Sequence, residues 1–188
     1  MKKIPTIFER DWNGDRSRVL DIPNPECAWV FAGEGNATRK LDGTCCLVRD
    51  GKLFKRRELR DGDDVPRDFE EADHDAETGK TQGWMPVGDD PQDRYHREAF
   101  REHEIIRRDG SYELVGPKIQ GNPEHWAGHQ LVLHGSIIED DVPRTFDGLR
   151  TWLSGQDIEG IVWHHPDGRM AKIKLKDFGL KRPTTITR

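Results

Sequence analysis

The sequence contains few cysteines and lacks any long apolar run. Only three cysteines occur in 188 residues, with Cys45 and Cys46 adjacent, and none forms a Cys-x-x-Cys pair. An odd number without metal-ligand spacing disfavours both a disulfide framework and a zinc motif, and is typical of a reducing compartment. No apolar run approaches the roughly 20 residues that span a bilayer, and the N-terminus lacks the apolar core of a signal peptide. We therefore expect a cytoplasmic protein without membrane contact.

Positive charge is in the minority overall, but it is concentrated locally. The 30 Lys and Arg residues are outnumbered by 35 Asp and Glu, for a formal net charge of -5. This balance argues against a uniformly basic nucleic-acid-binding surface. Residues 52–60 (KLFKRRELR) and 169–188 are nevertheless strongly basic, whereas residues 61–77 contain most of the local acid. The net charge thus conceals two basic segments.

Three Asp-Gly dipeptides, at residues 50–51, 109–110 and 167–168, separate strand-like runs. Asp-Gly suits a type I′ turn, which requires positive φ at both central residues. The pattern therefore predicts three hairpins and an antiparallel-rich core. Amphipathic spacing predicts two helices, one over 90–104 and one over 142–155, the second ending at the glycine. The predicted fold class is α+β.

We find no linker that would divide the chain, and we expect a single domain over 1–188. Residues 61–93 are acidic and contain several Gly and Pro. This composition predicts a mobile acidic insertion without regular structure.

The last hairpin places charged residues on one face of the sheet. A two-residue turn at 167–168 would set Glu159 opposite Lys176, on the same face as Lys172 and Lys174. One carboxylate and three ammonium groups are costly to bury unpaired. That face must be solvated or must bind an anion.

Five short motifs follow one another in a defined order. They are KLDG at Lys40–Gly43, LFKRRE at 53–58, YELVGP at 112–117, EGIV at Glu159–Val162 and KIK at Lys172–Lys174. Lys-x-Asp-Gly alone is more often a surface turn than a nucleophile. In this order, however, the five resemble motifs I, Ia, III, IV and V of the covalent nucleotidyltransferase superfamily, which comprises polynucleotide ligases and mRNA capping enzymes. The strings ELVGPKIQGNPE and EGIVWHHPDGRMAKIK are similar to the small RNA ligases related to the vertebrate RNA ligase 1 family.

This resemblance implies an antiparallel-sheet-rich nucleotidyltransferase domain and an ATP-dependent RNA ligase. Its cofactors would be ATP and Mg²⁺, with Mn²⁺ as a substitute. Lys40 would attack the α-phosphate of ATP and form lysyl-AMP. The AMP would move to an RNA 5′-phosphate, and an RNA 3′-hydroxyl would then displace it.

The resemblance also implies roles for the other motif residues. Lys172 and Lys174 would hold the phosphates together with the metal, which Glu159 would coordinate. Glu113 would bind the ribose. Asp42 and Gly43 would shape the loop that presents the nucleophilic lysine.

Two assignments stay open at this stage. The family pattern selects Arg56 as the motif Ia arginine, whereas the hairpin register places Arg57 opposite Thr44. His134 and Trp163 are both candidates for stacking on the nucleobase.

Only fourteen residues follow Lys174, which is too few for an OB-fold domain. We therefore expect a monomer that contacts RNA through its catalytic face, basic strand and basic tail, with salt-sensitive affinity. Two alternatives remain. One is a nucleotidyltransferase that seals nicked DNA or uses another acceptor, and the other is a non-catalytic RNA- or nucleotide-binding module.

Overall fold

The computed structural model describes residues 3–76, 78–102 and 108–182, which form short helices and antiparallel strands. The strands are β1 (Phe8–Arg10), β2 (Val19–Pro23), β3 (Asn36–Lys40), β4 (Thr44–Arg49), β5 (Lys52–Arg60), β6 (Glu70–Asp75), β7 (Lys80–Pro86), β8 (Gly110–Val115), β9 (Gln130–Leu133), β10 (Gly160–His164) and β11 (Met170–Lys174). The helices are α1 (Ala28–Phe31), α2 (Arg94–Glu102) and α3 (Phe146–Ser154). The α+β class with antiparallel sheets is confirmed.

The chain divides into two compact units, although a single domain was expected. The first unit contains Met1–Lys3 and Asp42–His134, and the second contains Ile4–Leu41 and Gly135–Arg188. Each unit has its own sheet and its own apolar core.

The second unit is built on a three-stranded sheet in the order β11-β10-β3, with β1 and β2 forming a separate pair. Both predicted helices are confirmed. In this unit, α3 begins after the capping residue Thr145 and ends at Ser154, just before Gly155. Its buried Leu149 and Leu153 pack into a core that also includes Trp163. Within the described residues, no helix has the length and apolar character needed to cross a bilayer.

The register of β10 against β11 differs by one residue from the prediction. His165 N–H donates to the Arg169 carbonyl, so the connection has three residues instead of two. The Asp-Gly dipeptide is therefore only part of a longer turn that also contains Pro166. As a result Lys174 lies opposite Gly160, and Lys176 leaves the sheet face as an exposed residue of a 3-10 helix.

The first unit contains a six-stranded sheet in the order β6-β7-β5-β4-β8-β9. Its core lies on one face, where α2 contributes Ala99 and the neighbouring strands contribute Cys46 and Leu114. The turn at 50–51 joins β4 to β5 in the predicted register. The hairpin predicted around the turn at 109–110 requires a strand before that turn, and this strand falls mainly on residues 103–107, outside the described residues. The strand after the turn, β8, pairs with β4 and β9.

Residues 61–93, expected as an insertion without regular structure, contain β6 and β7, which extend this sheet from β5. Basic side chains compensate their acidic residues. Arg49 Nη2 contacts both carboxylate oxygens of Glu70 at 2.9 and 2.7 Å, and Lys3 Nζ lies 2.8 Å from Asp75. Composition alone could not reveal these partners, because they are distant in the sequence.

Gly160 is the position where β10 tolerates no side chain. A Cβ atom built there would lie 2.1 Å from the Ile173 carbonyl oxygen and 2.8 Å from the Lys174 Cα. Because both contacts are backbone atoms, the strands would have to separate. We predict that Gly160→Ala lowers the free energy of unfolding by about 1–3 kcal/mol, the usual range for overpacking, as measured by denaturant titration.

Gly128→Ala is the matched control, because a Cβ there meets nothing within 4 Å. If the Gly160 and Gly128 variants were equally stable, the close approach of β10 and β11 would be contradicted.

Candidate active site

Lys40 and Lys174 contact one carboxylate in the second unit. Each is the last residue of its strand, β3 or β11, and both lie opposite Gly160 of the central strand. Lys40 Nζ is 2.5 Å from Glu159 Oε2, and Lys174 Nζ is 2.6 Å from Glu159 Oε1. The side chains of Lys40, Lys174 and Glu159 are only 22%, 19% and 14% exposed. These ion pairs are therefore screened less by water than pairs on an open surface.

The Glu159 carboxylate remains ionised in this setting. Burial opposes its charge, but the ammonium groups of Lys40 and Lys174 outweigh burial and keep the pKa of Glu159 below its usual value. A carboxylate oxygen suits Mg²⁺, which proteins typically hold through one or two carboxylates together with phosphate oxygens and water. Glu159 is compatible with Mg²⁺ if the metal takes the place of a lysine ammonium group at one of the two carboxylate oxygens.

Lys172 is the third cation of this group. It lies two residues before Lys174 on β11, and its backbone N–H and C=O pair with Pro5 and Ile7. Burial, with further contributions from Lys174 and Lys40, lowers the pKa of Lys172 to about 8. Three ammonium groups around the Glu159 carboxylate leave a local excess of positive charge, which suits an anion such as phosphate.

A partly buried ion pair that the motifs did not indicate holds the end of β11. Asp177 is 1% exposed and accepts hydrogen bonds from Arg10 Nη2 and the Lys174 backbone N–H, each at 2.9 Å. It thereby fixes the backbone of Lys174 as the strand passes into the 3-10 helix Leu175–Phe178. Arg10 and Asp177 are far apart in the sequence, so only the fold shows this pairing.

In the first unit, two glutamates hold the chain after the motif I lysine. The Gly43 N–H donates to Glu113 Oε1 and the Asp42 N–H donates to Glu124 Oε1, both at 3.1 Å. The other oxygen of Glu113 lies 2.8 Å from His134 Nε2. Glu124, in the segment GNPEHW, was not assigned to the site from sequence. The backbone N–H groups of Asp42 and Gly43 are thus held by a glutamate of β8 and by the segment GNPEHW.

Arg56 and Arg57 point to opposite faces of β5, because successive strand residues alternate. Arg56 is half-buried, donates to Gln82 Oε1 at 3.0 Å and also hydrogen-bonds Cys45. Arg57 is exposed. Since Cys45 lies opposite Glu113 in the sheet, the structure places Arg56, and not Arg57, on the face that contains Glu113.

The two stacking candidates differ in accessibility. Trp163 is 0% exposed and belongs to the apolar core of the second unit, so it is excluded as a residue that stacks on a base. His134 is 24% exposed and contacts Glu113.

Comparison with known proteins identifies the relatives of this chain. Residues 102–188 match the family described as RNA ligase 1. RNA ligase 1 of Danio rerio is 26% identical over an alignment that covers 99% of this chain and 83% of that protein. RNA ligase 1 of Pongo abelii and of Rattus norvegicus are 36% and 34% identical over 84 residues, 40% of this chain and 26% of each relative.

The comparisons confirm the predicted relation to the RNA ligase 1 family. The match over 102–188 includes Glu113, Glu159, Lys172 and Lys174. Lys40 lies outside that range, but the alignment with the Danio rerio RNA ligase 1 covers nearly all of this chain. The alignments with the Pongo and Rattus proteins span about a quarter of those RNA ligase 1 chains.

The lowered pKa of Lys172 predicts a pH-dependent stability. Because the folded protein binds this proton less tightly than the unfolded chain, charging Lys172 destabilises the fold, and the penalty disappears as pH rises from about 8 to 10.5. Lys172→Met removes the penalty at every pH. We expect this variant to gain about 3 kcal/mol over the wild type at pH 7, and the gain to shrink towards pH 10.5.

Denaturant unfolding of both proteins across this pH range measures the difference. Lys176→Met is the control, because Lys176 is an exposed neighbour. Parallel stability curves for the wild type and Lys172→Met would contradict the lowered pKa.

Proposed function

We propose that this protein is an ATP- and Mg²⁺-dependent RNA ligase that joins RNA 5′-phosphate and 3′-hydroxyl ends through a lysyl-AMP intermediate. The observation that supports it most is the partly buried group in which Lys40 and Lys174 share Glu159, with Lys172 beside them. The relation to RNA ligase 1 proteins favours RNA as the polynucleotide.

In the first step, the Lys40 amine attacks the α-phosphorus of ATP. The new N–P bond forms as the bond from that phosphorus to the oxygen bridging to the β-phosphate breaks, and pyrophosphate leaves. Lys40 must first lose its ammonium proton, which passes to solvent. Before the metal binds, Glu159 holds Nζ through the 2.5 Å contact. During the attack Lys172 and Lys174 offset the charge of the phosphates, because this chemistry depends mainly on positioning and electrostatic stabilisation.

Glu159 is the residue that we propose to hold Mg²⁺ or Mn²⁺, which when bound neutralises phosphate charge and assists the leaving group. Its remaining oxygen can keep one ammonium group in place. Lys174, whose backbone is fixed by Asp177, is the better anchored of the two lysines and is the one we expect to stay paired.

The family resemblance implies nucleotide-binding roles for several residues of the first unit. Glu113 is an acceptor for ribose hydroxyls, and its position is set by the Gly43 N–H and His134. Asp42 and Gly43 keep the loop after the nucleophile in shape. We assign the motif Ia role to Arg56, because Arg57 faces away from Glu113.

In the later steps, the AMP moves from Lys40 to an RNA 5′-phosphate and forms a new phosphoanhydride. An RNA 3′-hydroxyl then attacks that 5′-phosphorus, loses its proton and releases AMP. The basic strand at 52–60 offers lysine and arginine side chains for the RNA backbone. Such contacts release counterions, so affinity should fall as salt rises.

Covalent labelling tests the first step. Incubation with ATP labelled at the α-phosphate and Mg²⁺, followed by denaturing electrophoresis, should give a labelled protein. We expect Lys40→Ala to abolish the label, because it removes the amine that would attack the α-phosphorus. Glu159→Gln should reduce labelling at least about tenfold, since single electrostatic contacts in active sites commonly contribute that much or more.

Lys176→Ala is the matched control, because this exposed lysine follows the lysine group by two residues and faces solvent. It should label like the wild type. Absence of label on the wild type would contradict the enzymatic function and favour a non-catalytic binding module. Unchanged labelling of Lys40→Ala would contradict the assignment of the nucleophile.

Strand joining tests the substrate. Single-stranded RNA and nicked DNA duplexes, each with a 5′-phosphate and a 3′-hydroxyl, should be compared under conditions that give labelled protein. We expect only RNA to be joined, and AMP-capped RNA to accumulate when the 3′-hydroxyl is replaced by hydrogen. Sealing of the DNA nick alone would show a DNA ligase, and labelled protein without any joining would indicate another acceptor.

A further inference from the structure

We propose that Glu124 is a positioning residue for lysyl-AMP formation, because its carboxylate fixes the backbone just after the nucleophilic lysine. Glu124 Oε1 accepts a hydrogen bond at 3.1 Å from the backbone N–H of Asp42, and Asp42 is two residues after Lys40. Glu124 lies in the segment GNPEHW at 121–126, outside the five motifs, and the family resemblance implies no role for it. The inference rests on the function proposed above, since it concerns the step in which Lys40 reacts.

The segment around Glu124 is held by its own hydrogen bonds and by the core. The N–H of Asn122 donates to the Ile119 carbonyl at 2.7 Å, and Ile119 is only 8% exposed in the apolar core of the first unit. The side-chain amide of Asn122 donates to the Trp126 carbonyl at 3.1 Å and accepts from the Trp126 N–H at 3.0 Å. The His125 N–H donates to the Asn122 carbonyl at 3.1 Å. Glu124 is thus enclosed between residues whose backbones are fixed.

Three residues other than glycine have a left-handed backbone conformation in or beside this segment. The φ angle is +48° at Gln120, +57° at Asn122 and +55° at His125. Asparagine tolerates this region better than glutamine, because its short polar side chain can hydrogen-bond to nearby backbone. Strained backbone persists only where the surrounding contacts determine it, and it clusters at functional sites. The strain therefore supports a role for this segment beyond connecting β8 to β9.

Two glutamates hold successive N–H groups after the nucleophile. The Gly43 N–H donates to Glu113 Oε1 at 3.1 Å, next to the Asp42 N–H that Glu124 accepts. Hydrogen bonds to a carboxylate are stronger than those to a neutral acceptor. Glu113 is also the proposed acceptor for the ribose, so holding the loop is the role that we assign to Glu124. Without its carboxylate, the peptide group between Leu41 and Asp42 would lose this restraint.

The position of this peptide matters for the attack on ATP. Lys40 Nζ must lie in line with the bond that breaks, and a misplacement of about 1 Å can lower a rate about a hundredfold. In the final step the attacking group is an RNA 3′-hydroxyl, and Lys40 forms no bond. Loss of Glu124 should therefore slow lysyl-AMP formation much more than the joining of RNA that already carries AMP.

Single-turnover labelling with α-labelled ATP and Mg²⁺ tests this role in the full-length protein. We expect Glu124→Ala to lower the maximal labelling rate about a hundredfold. The ATP concentration for half-maximal rate should change less than about threefold, because the lost contact is to the protein backbone and not to the nucleotide. Glu124→Gln keeps an acceptor oxygen on a side chain of equal length and should recover most of the rate. Both variants should join AMP-capped RNA within about threefold of the wild-type rate.

Glu71→Ala is the matched control, because Glu71 is an exposed glutamate on β6 of the same unit. It should label like the wild type. Equal labelling rates for the wild type and Glu124→Ala would overturn this role alone. Equal losses of labelling and of joining of AMP-capped RNA would also overturn it, because they would show a general structural effect. A wild type that takes no label would contradict the proposed function and this role with it.

Amide hydrogen exchange at Asp42 without ATP tests the contact independently of activity. Because the N–H loses its acceptor, exchange should be faster in Glu124→Ala than in the wild type, and Glu71→Ala should leave it unchanged. Equal exchange in Glu124→Ala and the wild type would overturn the inference. Melting of each variant checks that it is folded.

Discussion

The ion pairs of the Glu159 carboxylate are the interaction on which the charged part of the second unit depends. Strands β3 and β11 both end in a lysine, and both pair with β10, so the fold brings Lys40 and Lys174 towards the same point. Without a carboxylate there, the ammonium groups would repel each other, and their partial burial would also cost them hydration that nothing replaces. Removing one partner of such a group is costly, because the others keep their charge.

The same arrangement leaves the site short of negative charge. Glu159 uses both oxygens on Lys40 and Lys174, and Lys172 is left with a lowered pKa. An entering phosphate would supply the missing countercharge and compete with Glu159 for the lysines. Perturbed ionisation of this kind is common at functional sites. The protein leaves this positive charge only partly neutralised. A bound anion can therefore gain binding free energy by neutralising the rest.

Local signals in the sequence predicted the positions of turns and helices better than the pairing of strands and side chains that are distant in the chain. Asp-Gly turns and amphipathic spacing located the hairpin at 50–51 and helices α2 and α3, because turn chemistry and helix periodicity act over a few residues. The register of β10 against β11 was wrong by one residue, since Pro166 joins the turn and lengthens it. The order of β6 and β7 in the sheet, and the Arg10–Asp177 pair, involve residues distant in the chain and left no local pattern.

The site residues divide in the same way. Glu159 and Gly160 form a recognisable dipeptide because two requirements coincide: the carboxylate must lie between two lysines, and the next residue must have no side chain where β10 meets the Ile173 carbonyl. Packing and chemistry thus fix adjacent positions, and the pair is visible in the sequence. Glu113 and His134 meet only through the pairing of β8 and β9. No packing constraint marks this contact in the sequence, so it could be found only from the fold.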